Sequence, residues 1–412
     1  MNTYVSRRGY LRLASTLPAT GALAGCLGGR LGRSPIQLGA VLPLSVDGFL
    51  GTVAEHHQRA VEQAVADVNR AGGPLGREIE LMVEDTELNP KRARKALQTL
   101  SDAGAIGFVG PVVTDISMVL ADELPKKDMF AVSPSSTHPA LASAGMSGGT
   151  KFFGRTAAND IQQALVMAKV LNSDHYVGAD TVATLYVDNS FGKGLADTIE
   201  SNVSGDVVAS VPFPTDRETY SMQVAEIVNS GADAVAFASE PGNTTVLERL
   251  TESSYGGEYV LSEGLIPTEI PPHLDGMYSA SVAATNTTGA IELRQKLRDI
   301  APLAPYTQHA YDGLFLMALA IHQAGTATAT AISDNLVSVS GGRGQTVSVD
   351  DFERATTLLD AGRDVNYQGA SSSVDLNANL EPLNAYLIGQ VDGATIAELE
   401  LLRASFFEGR MD

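Results

Sequence analysis

The chain has 412 residues, too many for one compact core and suited to two domains of ordinary size. Its 48 acidic residues against 28 Lys and Arg give a net charge of −20. That balance excludes a nucleic-acid binder, which needs clustered cations, and argues against electrostatic attachment to an anionic membrane surface. The single cysteine excludes an internal disulfide framework or a multi-cysteine metal site, while 44% hydrophobic residues suffice for large cores.

The basic residues are eight Lys and 20 Arg, and the chain has no Trp. With abundant Ala, Gly and Thr, this composition resembles proteins adapted to molar salt, where the Debye length falls to roughly 3 Å and self-repulsion is screened. No acid precedes Asp47, and Ser6-Arg7-Arg8-Gly9-Tyr10-Leu11 resembles a twin-arginine export motif. The apolar stretch 13–24 is too short to span a bilayer of roughly 30 Å. It closes on Leu23-Ala24-Gly25-Cys26, which looks like a lipobox and places the only cysteine where the lipid would be attached. Residues 1–26 are therefore expected to be an export signal and 27–35 a tether. Loss of Arg7, Arg8 and Arg12 would leave a mature charge of −23.

From residue 36 short β-rich runs alternate with amphipathic stretches. The spacing predicts a strand at 36–42 and a helix at 52–71, with Val53, Ala60, Val61, Ala64, Val65 and Val68 on one face and His57 in the same stripe. A strand at 77–85, a helix at 90–103, a strand at 106–109, a helix at 115–124 and a strand at 129–132 follow. After 152–155 the rhythm restarts. Helices are predicted at 160–171, 192–203, 220–230 and 244–254, alternating with strands at 181–187, 207–212, 234–238 and 259–261. Farther on, 277–284, 384–388 and 395–401 read as strands, and 306–324 and 351–361 as helices. Strands alternating with helices build parallel sheets through right-handed crossovers, so the expected fold is α/β with two doubly wound parallel-sheet lobes.

Ligands of such sheets sit beyond the carboxyl ends of the strands. The loops there are 43–51, 110–115, 133–137, 188–192, 239–243 and 262–264. They are rich in hydroxyls, free backbone N–H groups and isolated carboxylates. Hydroxyls and helix N-termini suit a carboxylate, and an isolated acid such as Glu263 suits an ammonium group; together they describe a site for a zwitterion. The same Ser, Thr and Asp residues also serve as helix N-caps. Gly145-Met146-Ser147-Gly148-Gly149 matches the hydrolase G-x-S-x-G pattern, but no strand precedes it, and it reads as a flexible loop rather than a catalytic elbow. His56 and His57 are adjacent rather than four apart, so no zinc site is expected. No phosphate-binding glycine motif lies in a βα turn, and no cofactor or enzymatic activity is expected. Asn202, Asn243 and Asn286 begin glycosylation sequons.

The order and spacing of several short motifs make the resemblance specific. Gly39-Ala40-Val41-Leu42-Pro43-Leu44-Ser45, Asn69-Arg70-Ala71-Gly72-Gly73, Glu84-Asp85-Thr86, Ser133-Pro134-Ser135-Ser136-Thr137, Ser262-Glu263-Gly264 and Tyr311-Asp312-Gly313 follow one another over 36–393. The chain resembles the leucine/isoleucine/valine-binding receptors of ABC importers, of the type I periplasmic-binding-protein fold. The resemblance implies two lobes joined by a multi-strand hinge, 36–155 plus about 285–365 and 156–284 plus about 366–405. It implies hydroxyl contacts from Thr114 and Thr137 to an α-carboxylate, backbone groups from Ser135 and Ser136, a ligand contact from Ser45, Glu263 on the α-ammonium, and Phe191 covering the ligand. Glu240 stands near where such receptors tend to carry an aromatic, and an extra acid would favour a cationic or more polar ligand.

The function so implied is an extracytoplasmic, lipid-anchored receptor that binds an amino acid of the branched-chain type and delivers it to ABC permease and ATPase subunits. The alternatives are a receptor for an amide, urea or other small polar solute, or a ligand-sensing protein of the same fold. A repressor of this fold would need a basic DNA-binding headpiece where the export signal stands.

Overall fold

The computed structural model describes residues 34–411 apart from 216, 218, 268 and 284–286. Arg7, Arg8 and Cys26 of the expected export signal, and the Asn286 sequon, lie outside the described residues.

The first half of the chain runs β1 (Ile36–Leu42), α1 (Phe49–Arg70), β2 (Ile79–Asp85), α2 (Pro90–Asp102), β3 (Gly107–Val109), α3 (Thr114–Ala121), β4 (Phe130–Ser133), β5 (Met146–Ser147), β6 (Thr150–Lys151) and β7 (Phe153–Arg155). Five of these strands form a wholly parallel sheet in the order β2-β1-β3-β4-β7. β3 and β4 are buried along their whole length, because helices cover both faces of a parallel sheet. The helices begin where their caps dictate. The Asn89 side chain accepts from the Lys91 and Arg92 N–H groups, and Pro90 occupies the first helical position, where no N–H is needed.

The second half restarts the pattern with α4 (Asp160–Asn172), β8 (Thr181–Val187), α5 (Ser190–Glu200), β9 (Asp206–Phe213), α6 (Ser221–Ser230), β10 (Ala234–Ala238), α7 (Thr245–Thr251), β11 (Glu258–Leu261) and β12 (Tyr278–Val282). The chain then returns through α8 (Thr288–Lys296), α9 (Thr307–Ala324), α10 (Ala329–Ser340), β13 (Gln345–Val347), α11 (Phe352–Asp360) and β14 (Val365–Tyr367), before closing with β15 (Tyr386–Asp392) and β16 (Thr395–Leu402). The second sheet has the order β16-β15-β12-β11-β10-β8-β9. It is parallel from β9 to β12, and the β15–β16 hairpin adds antiparallel strands at one edge.

The two sheets carry separate cores. The first takes in α9, α10 and α11 and continues through Tyr367, Ala370, Val374 and Leu376 to Leu380. The crossing expected at about residue 366 therefore comes later. Asp312 of α9 explains why: its buried carboxylate accepts from Tyr367 Oη (2.6 Å) and from the N–H groups of Ala370 (2.9 Å) and Ser371 (2.8 Å), tying that segment to the first lobe. The second sheet is covered on both faces by its own apolar layers. α9 is apolar nearly all round because it is enclosed by this first core, not because it meets lipid; no single described helix is long and apolar enough to cross a membrane.

At the hinge, Arg155 at the end of β7 is buried with Glu381, its Nε donating to the Glu381 carboxylate at 2.9 Å. Asn159 Nδ2 donates to the same carboxylate at 3.1 Å, and Gln162 Nε2 donates to the Pro382 carbonyl at 3.0 Å. Two crossing segments are thereby stapled together. The expected loop at 145–149 instead holds β5 and the turn of the β5–β6 hairpin, in which Gly148 and Gly149 both take positive φ (58° and 87°) as a two-residue turn demands.

Candidate functional site

A cleft of about 330 Å³ opens where the carboxyl ends of the strands of both sheets face each other. The first lobe contributes Phe49, Leu50 and Val53 from α1, Val112 to Thr114 at the start of α3, and Ser135 and Thr137 after β4. The second contributes Phe191 from the first turn of α5, Ser239 to Pro241 after β10, and Glu263 and Gly264 after β11. Segments near the hinge supply Asp160, Gln163, Pro305, Tyr306, His309 and Tyr386.

The 133–137 loop owes its shape to its own hydroxyls. Ser133 Oγ donates to the Pro111 carbonyl at 2.6 Å and accepts the Ser136 N–H at 3.0 Å, while Ser135 Oγ donates to the Val112 carbonyl at 2.7 Å. Arg155 holds the loop from behind, with Nη1 donating to the carbonyls of Ser136 (3.2 Å) and His138 (3.0 Å). Opposite it, Thr114 opens α3, whose first-turn N–H groups have no intrahelical acceptor. The cleft floor thus presents the first-turn N–H groups of α3 and the Thr137 N–H, donors suited to an anion.

The facing wall is acidic. Asp160 begins α4, is nearly fully buried, and accepts from Thr137 Oγ1 at 3.0 Å. Burial pushes its carboxyl up to about 7, with the nearby Glu263 charge acting in the same direction. Glu263 accepts from the Val282 N–H and the Tyr306 hydroxyl, and burial pushes it, too, up to about 7. Tyr306 is a non-glycine residue at φ 62°, a conformation costly for an aromatic residue that recurs at functional sites. That backbone turn lets the hydroxyl of a residue leading into α9 of the first lobe reach Glu263 of the second. His309, beside Tyr306 with ring centroids 5.0 Å apart, is held near 3 by burial and stays neutral.

The lobes also touch outside the cleft. Ser190 Oγ at the start of α5 donates to the Asp115 carboxylate of α3. The His138 ring lies so close over Gly194 of α5 that a Cβ there would stand 2.4 Å from its Cδ2. The described conformation is a closed one.

A sequence profile described as periplasmic binding protein matches residues 35–357. The chain belongs to that family. The binding protein is 44% identical over 375 residues to the chemotactic signal transduction system substrate-binding protein BasB of Halobacterium salinarum, covering 90% of this chain and 91% of the relative. It is 26% identical to a Leu/Ile/Val-binding protein homolog of Brucella melitensis, over 71% of this chain and 80% of that one. Among solved structures, a leucine-binding protein LivK of Thermotoga maritima superposes with a TM-score of 0.71 at 17% identity, covering 90% of this chain and 99% of that one. The branched-chain amino acid transporter substrate-binding protein LivJ of Streptococcus pneumoniae, in complex with isoleucine, gives 0.67 at 17% identity, with 90% and 99% covered. These structures bear out the type I fold of two α/β lobes.

Of the residues anticipated from the sequence, this binding protein brings Thr114, Ser135, Thr137, Phe191, Glu240 and Glu263 to the cleft. Ser45 and Ser136 do not line it. Ser45 Oγ donates to Asp85 at the end of β2, so its loop offers the cleft Phe49 and Leu50 instead. Ser136 is fully buried, its Oγ 2.7 Å from Ser117 Oγ. Thr137 spends its hydroxyl proton on Asp160, so that oxygen presents a lone pair, not a donor, to a ligand. Asp160, Gln163, Tyr306, His309 and Tyr386 were not anticipated. Asn159-Asp160 at a helix start offered a local sign, since Asn159 Oδ1 caps the Ile161 N–H at 3.0 Å. Nothing local marks Tyr306, whose role depends on an unusual φ.

Proposed function

We propose that this binding protein is an extracytoplasmic receptor that closes on an amino acid, in the manner of the branched-chain amino acid type of ABC-transporter receptor. The observation carrying the proposal is the pairing, in one interlobe cleft, of an anion-binding face (the start of α3 and the Thr137 N–H) with the carboxylates of Glu263 and Asp160. An α-carboxylate fits the first face. An α-ammonium fits Glu263, with the Thr137 oxygen as a further acceptor. Closure needs no other energy source: a ligand that touches both lobes binds the closed state better and shifts the population toward it.

The export and lipidation motifs at Arg7, Arg8 and Cys26 support an anchored position outside the cell, and the acidic, Lys-poor surface supports function in molar salt. An ABC permease with its ATPase would receive the solute. The relationship to BasB favours a second reading, in which the closed receptor is presented to a membrane-bound chemotaxis transducer.

A thermal-shift screen of the chain without its leader in molar salt, against amino acids, amides and urea, tests the amino-acid reading. Ligand at about 100 times its Kd adds about 2.7 kcal/mol, enough to raise Tm by several degrees. Stabilisation by amino acids alone is the expected result. Stabilisation by amides or urea, and by no amino acid, would replace it with the polar-solute alternative.

A further inference from the structure

The cleft has a direction. In the second sheet β12, β11, β10 and β8 lie side by side, so Val282, Glu263, Glu240 and Asn189 follow successive strand ends outward from the hinge, about 5 Å apart per strand. The register supports this order, since Phe237 pairs with Leu261 and Glu240 therefore extends one residue beyond the level of Glu263. The first lobe runs the same way, from β4 with Ser135 and Thr137, through β3 with Thr114, to β1 and the Phe49 turn. A ligand whose main-chain groups lie between Thr137 and Glu263 must send its side chain outward, past apolar walls that include Leu50, Val53 and Phe191, toward Glu240.

Glu240 is poorly provided for. It is half-buried, and among the described residues its carboxylate accepts only from two neutral amides at the long end of hydrogen-bond distance, Asn189 Nδ2 at 3.2 Å and Asn243 Nδ2 at 3.5 Å. Among the described residues no Lys or Arg lines the cleft, and His309 is neutral. Burial pushes the Glu240 carboxyl up, and the negative charge of Asp115 on the opposite lobe acts in the same direction. A zwitterion brings one ammonium, and Glu263 takes it. Closing the lobes around a purely aliphatic side chain would thus confine Glu240 against Asp115 with nothing positive between them. A cation at that point would offset the repulsion and give Glu240 a charge-assisted hydrogen bond.

We propose that Glu240 sets the specificity of the cleft, and that the preferred solute is an amino acid with an aliphatic stem ending in a cationic group, of the lysine or arginine kind. This rests on the amino-acid reading above and departs from the aliphatic ligands named for relatives.

Isothermal titration of the chain without its leader with lysine, arginine, leucine, isoleucine and valine tests it, with E240Q and E240L alongside the wild type. The expected result is a wild-type preference of at least about tenfold for lysine or arginine over leucine, reduced in E240Q and reversed in E240L. Binding of leucine as tight as that of lysine and arginine would overturn this proposal and leave the amino-acid reading standing. Binding of none of the five would overturn both. A cation preference that survives unchanged in E240Q would remove Glu240 as its cause, and the wild-type comparison holds even if E240L does not fold.

Discussion

Glu263 and Asp160 each have a carboxyl pushed up to about 7, from ordinary values of 4.5 and 3.8 respectively, because both are withdrawn from water into one cleft. Between those limits the folded chain holds protons that the unfolded chain has released. Each group therefore favours folding below about pH 4, and that contribution is lost as pH rises through about 7. His57 and His309, held down to about 4 and 3 by burial, act in the opposite sense below about pH 6.5, so the groups are separated by difference rather than by the raw pH profile. Glu263→Gln never ionises. Without ligand it should match wild type near pH 4 and exceed it in stability at pH 8, measured by paired calorimetric scans. Amino-acid affinity should fall by about two orders of magnitude in the same variant, the usual cost of removing one partner of a buried charge pair. A stability difference that is the same at both pH values would show that Glu263 ionises freely in the folded state.

The elements that carry these side chains also govern closure. α5 brings Phe191 to the cleft with its first turn, and it meets the first lobe through Ser190 on Asp115 and through Gly194 under the His138 ring. His138 is not free to swing away, because its Nδ1 accepts the Ala140 N–H at 3.0 Å and its carbonyl is held by Arg155. A methyl group at position 194 would wedge the lobes apart. Ala is nonetheless the better helix former by about 1 kcal/mol. Gly194→Ala should keep or raise the melting temperature of the unliganded chain while weakening ligand binding by about tenfold or more, read by calorimetry and titration on the same sample. Unchanged affinity would mean that the α5 contact is not part of the liganded closed state. The buried Arg155–Glu381 pair works at the same scale, since it fixes both the hinge crossing and the carbonyls behind the 135–138 loop.

At the scale of the whole molecule, the charge of −20 and the single cysteine bear on the proposed surroundings rather than on the chemistry of the cleft. No acid cluster belongs to a metal among the described residues, and the carboxylates of the cleft are a minority of the 48. An acid excess of this size is sustainable where salt screens it at short range. The proposed lipid anchor would be carried by Cys26. Cys26→Ser should release the chain from membranes into the medium without changing ligand affinity, assayed by fractionation and titration. Retention on the membrane would show attachment by other means.

The alternation of apolar strand and amphipathic helix was legible because each element advertises its own period, and 36–42, 181–187 and 234–238 appear where the pattern placed them. The helices at 288–296 and 329–340 were not: the first, at 9 residues, is too short to establish a period, and the Ala, Thr and Ser of the second leave little contrast between faces. The same division runs through the site. Strand-end loops announce the segments, and the resemblance to the leucine/isoleucine/valine-binding receptors singled out Thr114, Ser135, Thr137, Glu240 and Glu263 within them. Which hydroxyls face a ligand could not be read this way, since Ser135 and Ser136 are neighbours that the loop turns to opposite fates. Asp160, Tyr306 and Tyr386 are far apart in the chain and meet only at the hinge. A sequence records each residue's local preference, whereas a cleft between two lobes is made of contacts that exist only once both lobes have folded and closed.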